Sequence, residues 1–118
     1  MHTGRSVEIR DSLLHFLDEH DYQVAPVSVD NADYWFAAAY ERTIIDEDTA
    51  MQQQVREAYL KYMEDYFAYY ERQSEMLLGR EIAQILLLHA NALNADTFDD
   101  LANMIRERGY TFVSLAEA

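Results

Sequence analysis

The sequence predicts an α/β fold that is rich in helix, with three short parallel strands joined by crossover helices. Apolar residues recur at helical spacing in four separate stretches. Between and after them fall three short runs, at 23–29, 83–89 and 111–115, that are β-branched or almost wholly apolar. Strands separated by helices imply parallel pairing with right-handed connections.

Each element has its own signal. Ser6 can cap a first helix in which Ile9, Leu13, Phe16 and Leu17 share a face, and the pattern ends near His20-Asp21. Tyr22 to Asp30 then reads as a strand. Pro26 lies inside it and cannot donate to a ladder, so an edge position or a strand start is implied. Helical spacing returns from Asp33 to about Ile44. Asp46-Glu47-Asp48-Thr49 is a polar break and a cap for the longest helix, about residues 50–78, where Met51, Val55, Tyr59, Tyr62, Tyr66, Tyr69 and Tyr70 recur at steps of three and four. Such a helix is roughly 42 Å long, more than a small core can cover. Gly79 stands where a C-cap glycine belongs. Ile82 to Leu88 reads as a strand buried on both faces. Asn94 is the expected cap of a last helix whose inward residues are Phe98, Leu101, Ala102 and Ile105, and Gly109 ends it before a strand at Tyr110 to Leu115.

Composition narrows the functions. The chain has 118 residues, half of them apolar, so a packed core is expected in a single, partial domain spanning 1–118. Its formal net charge of -13, from 22 acidic and 9 basic residues, disfavours nucleic acid and anionic membrane surfaces as partners. The absence of cysteine excludes disulfides and cysteine metal sites. No apolar run approaches the roughly 20 residues that cross a bilayer, and the first residues do not read as a signal peptide. An opening loop before a helix and an ending just after a strand suggest the boundaries of a fragment.

Function in parallel α/β architectures gathers at the carboxyl ends of strands. Asp30-Asn31-Ala32-Asp33 follows the first predicted strand and His89-Ala90-Asn91 the second. Adjacent parallel strands would bring Asp33 and His89 to one rim, and a carboxylate beside an imidazole suits a general acid. Plainer readings stay open: Asp30 or Asp33 can cap the following helix, and His89 can bond a backbone carbonyl. The tyrosine stripe of the long helix reads as core in preference to an interaction surface or a platform for sugar rings. The acidic runs read as solvated helix starts rather than calcium loops.

Several short motifs also stand in a familiar order. Ile85-Leu86-Leu87-Leu88-His89-Ala90-Asn91, then Asn94-Ala95-Asp96, then Arg108-Gly109-Tyr110-Thr111-Phe112-Val113-Ser114-Leu115 resemble the end of the polysaccharide deacetylase (NodB-homology) family of carbohydrate esterases. Asp30-Asn31-Ala32-Asp33-Tyr34 resembles that family's Asp-x-x-Asp-Trp motif, and His2-Thr3-Gly4 matches residues that often follow its Arg-x-Pro-Tyr motif. The resemblance implies the C-terminal part of a (β/α) barrel that hydrolyses N-acetylated carbohydrates. It gives His89 the role of catalytic acid, Asp33 that of tuning His89, and Leu87 and Tyr34 places in the substrate pocket, with Asp30 in possible support.

The family also implies a divalent metal such as zinc, yet its Asp-Asp pair and His-x-x-x-His pair are missing from this sequence. His15 and His20 are five residues apart, and five is a poor spacing for two ligands on one helix face. The expectation is therefore an acid half-site without metal or base, inactive as an isolated chain. The alternative is a short non-catalytic binding or oligomerising module. A homo-oligomer is expected in either case, because the long helix carries more tyrosine and methionine than three strands can cover.

Overall fold

The computed structural model describes residues 5–117 and is built from four helices, α1 (Val7–Glu19), α2 (Asp33–Ile45), α3 (Thr49–Leu78) and α4 (Ala92–Glu107). Three of them start on a side chain that takes over an orphan backbone N–H. Ser6 Oγ accepts from the N–H of Ile9 at 3.3 Å, Asp48 Oδ1 from Met51 at 2.9 Å, and Asn91 Oδ1 from Asn94 at 2.8 Å. Asn91, not Asn94, therefore caps the last helix, which frees Asn94 to point inward.

The predicted three-stranded α/β sheet does not form. The only pairing among the described residues is one isolated parallel bridge between Val29 and Leu86. The 28–31 and 84–88 segments do run side by side. Ser28 and Val29 donate their N–H groups to the carbonyl of Ile85, Ile85 N–H donates to Ser28 Oγ, and Asn31 Nδ2 donates to the carbonyl of Leu87. The third run, 111–115, pairs with no other segment among the described residues. A short apolar run records a tendency to be extended and buried, whereas a strand needs a backbone neighbour on at least one side. The expected burial of 82–88 on both faces is absent too, since no residue of that run is fully buried.

The core sits where α2, α3 and α4 meet. Tyr59, Met63 and Phe67 are buried at steps of four along α3, and partly buried Val55 extends the row. Facing them are Tyr40 of α2 and Leu93, Leu101 and Ile105 of α4, with Val29 from the extended segment. Phe98, predicted inward, is exposed. The core covers the middle of α3 and leaves Met51 near its start and Met76, Leu77 and Leu78 at its end in solvent. α1 buries no residue and packs on none of the other helices. No helix among the described residues is long and apolar enough to cross a membrane.

α3 stops at Gly79, whose φ of 68° is left-handed and whose N–H returns to the carbonyl of Glu75. A Cβ there would meet no neighbour, so only the backbone conformation penalises a side chain. Gly79→Ala is expected to cost about 1 kcal/mol, read as a lower midpoint in urea unfolding with an unchanged slope.

Candidate functional site

α2 begins at Asp33, so its carboxylate lies in the first turn, where the helix dipole favours negative charge. The side chain does not cap the helix. It turns instead to the end of the 84–89 segment, which the Val29–Leu86 bridge holds alongside. Asp33 is fully buried, at 0 % exposure. Its Oδ1 lies 2.6 Å from His89 Nδ1. Its Oδ2 accepts from the backbone N–H of His89 at 2.9 Å and from Asn94 Nδ2 at 2.7 Å.

These bonds decide its charge. Burial by itself would raise the Asp33 pKa, but the His89 backbone N–H, the His89 ring and the Asn94 amide together outweigh burial and hold it below the ordinary carboxylate value. An ionised carboxylate only accepts, so Nδ1 of His89 carries the proton of that bond. The tautomer is thereby set, and Nε2 makes no hydrogen bond among the described residues. The His89 side chain is 54 % exposed. A buried anion thus orients a half-exposed imidazole whose far nitrogen is free for proton transfer.

Further groups fix this pair. Asn94 Nδ2 also donates to the carbonyl of His89 at 2.8 Å, and Asn94 Oδ1 accepts from the hydroxyl of buried Tyr59 at 2.6 Å. The chain His89–Asp33–Asn94–Tyr59 therefore ties α2, α3, α4 and the extended segment into one polar network. Burial pushes the Tyr59 phenol well up, with the Asp33 charge and Tyr62 adding to it, so the hydroxyl remains a donor. Tyr62 of α3 supports the same corner by accepting the N–H of Ala32 at 2.8 Å. Asn31 Oδ1 accepts the N–H of Asp33 at 3.0 Å.

The other sequence-derived candidates divide. Tyr34 stands beside the pair, its ring 6.2 Å from that of His89 in an edge arrangement, and Trp35 is 6.0 Å further along, exposed. Leu87 is half exposed and serves through its carbonyl, which Asn31 holds. Asp30 contributes a carbonyl to the Tyr70 hydroxyl at 3.3 Å, and its carboxylate makes no bond to the Asp33–His89 pair. His2, Thr3 and Gly4 lie outside the described residues. Sequence reasoning missed Asn94 and the link from Tyr59. The available signal was the 94–97–101 spacing, which continues the buried face of α4 through a polar side chain.

The donor set does not fit the zinc that the family resemblance implies. No group of three or more His, Asp or Glu suited to a metal occurs among the described residues. His15 is exposed and pairs with Glu19 at 3.4 Å, while His20 Nδ1 bonds the carbonyl of Phe16 at 2.8 Å. Both sit on α1, which packs on none of the other helices.

No family model matches this chain, and no curated protein and no solved structure is detectably similar to it.

Proposed function

We propose that Asp33 and His89 form the acid half of a hydrolytic site for N-acetylated carbohydrates, and that this chain supplies that half to a polysaccharide deacetylase-like hydrolase. The observation that carries the reading is the fully buried Asp33 carboxylate, 2.6 Å from Nδ1 of a half-exposed His89. In the reaction, water adds to the acetamide carbonyl, and His89 Nε2 gives its proton to the nitrogen as the C–N bond breaks, leaving acetate and a free amine. Asp33 compensates the charge of the imidazolium before that transfer. The base that activates the water comes from a group outside this chain. Tyr34 and exposed Trp35 offer ring faces for a sugar next to His89.

Trp35 is the only tryptophan, so its fluorescence reports on this corner alone. A tetramer of N-acetylglucosamine is expected to change that emission and the deacetylated tetramer to leave it unaltered. His89→Ala should weaken the response about tenfold, or about 1.4 kcal/mol. The chain by itself, with zinc added, should release no acetate. An equal response to both tetramers, or none at millimolar sugar, would remove the reading. Acetate release that disappears in His89→Ala would show that the base is also present here, and would overturn the half-site.

A further inference from the structure

A folded monomer of 13.8 kDa exposes about 6,600 Å², whereas this chain exposes 8694 Å². Its radius of gyration is 17.3 Å, against about 13.5 Å for a compact domain of this length. The surplus of about 2,000 Å² exceeds the roughly 800 Å² that each partner hides in a standard interface. Part of it belongs to α1. Another part belongs to the segment Tyr110–Leu115 after α4, where Phe112, Val113 and Leu115 are 57 %, 56 % and 68 % exposed.

That segment is a ridge between two hollows. One, of about 1150 Å³, is lined by six glutamates and two arginines. The other, of about 320 Å³, is floored by Leu101, Ala102 and Ile105 of α4, is walled by Leu86 and Leu88, and has no charged side chain in its lining. The ridge carries no charge either. The backbone N–H and C=O groups of Thr111, Phe112 and Val113 make no hydrogen bond among the described residues. An uncharged stretch with open backbone groups can serve as a template for a strand.

We infer that this ridge and its uncharged hollow are an interface with a second copy of the chain. The two ridges pair antiparallel about a two-fold axis, and each inserts apolar side chains into the other's hollow. Three observations select a copy as the occupant. Ridge and hollow lie side by side on one face, so a two-fold axis can set each ridge over the other copy's hollow. The surplus area is more than one partner of a standard dimer hides, so this patch can be covered with exposed surface left over on α1. In a chain of net charge -13, residues 110–115 carry no charge, and the charged group stacked on them, Arg106, 5.2 Å from the Phe112 ring centroid, is a cation. The inference does not depend on the Asp33–His89 reading.

Sedimentation equilibrium of the full chain at physiological salt is expected to give the mass of two chains, with tighter association as salt screens the net charge. Phe112→Glu, which opposes two carboxylates across the axis, and Val113→Pro, which removes a backbone donor, should each weaken the dimer at least about tenfold. Helical circular dichroism should be unchanged in both. Ile45→Lys, at an exposed position of α2 that lines neither hollow, should leave the dimer intact. A wild-type chain that stays monomeric at every concentration would overturn the inference. So would a dimer that survives both ridge substitutions, or one that only removal of α1 dissolves, which would transfer the interface to that helix.

Discussion

Asp33→Asn is expected to lower the free energy of unfolding by about 3 kcal/mol at neutral pH. The wild-type carboxylate accepts three N–H groups in a fully buried position. An amide of the same size can accept with one oxygen only. Its NH₂ would face either the His89 ring, which must then give up the Nδ1 proton to accept, or the His89 N–H and Asn94 Nδ2, which would lose their acceptor. The penalty should also depend on pH. The folded-state pKa of Asp33 lies below the ordinary value, so its contribution is complete above that value, about 3.9, and is lost as pH falls through the lower folded-state pKa. The gap between wild type and Asp33→Asn should therefore narrow as pH falls below that about 3.9 reference. Urea unfolding of both proteins at several pH values measures this. A gap that stays the same down to the acid limit would mean that Asp33 is not ionised in the fold.

Tyr59→Ala is expected to be the more damaging change, at about 4 kcal/mol. Tyr59 is fully buried between α2, α3 and α4, its ring 5.6 Å from that of Phe36, and its hydroxyl is the sole donor to Asn94 Oδ1. Truncation leaves a ring-sized cavity and an unsatisfied buried amide oxygen. Tyr59→Phe separates the two effects. It keeps the ring and removes only the hydrogen bond, so it should cost about 1–2 kcal/mol. Because Asn94 also positions Asp33, Tyr59→Phe should loosen the His89 ring, visible as averaged imidazole resonances. Thermal melting of the two variants ranks them, and a Tyr59→Phe penalty equal to that of Tyr59→Ala would place the whole effect in the hydrogen bond.

The residues of the site were legible in the sequence because their spacing follows local rules. Asp33 is the first residue of a helix, and His89 closes an apolar run. Two segments that run side by side bring such positions together whether or not a sheet forms. Asn94 was legible only as a helix-start residue. Two asparagines three apart offer the same capping chemistry, and the choice between them depends on which one the core of α3 claims through Tyr59. The strands were misread for a related reason. Of the runs at 23–29, 83–89 and 111–115, one bridge joins the first two and the third pairs with no other segment among the described residues.

The sequence by itself determined the four helices and their signals at Ser6, the 46–49 break and Gly79; of the row it placed along α3 only Tyr59 is fully buried, and Met63 and Phe67 take the other inward places. These follow from side-chain period and from local hydrogen bonds within a few residues. Only the tertiary structure decided that no sheet closes, that α1 packs on none of the other helices, and that Asn94 and Tyr59 lock Asp33 onto His89. The last of these depends on groups 35 or more positions apart, the Tyr59–Asn94 and Asn94–Asp33 bonds. Contacts of that kind are set by which surfaces meet in space, and no local pattern records them.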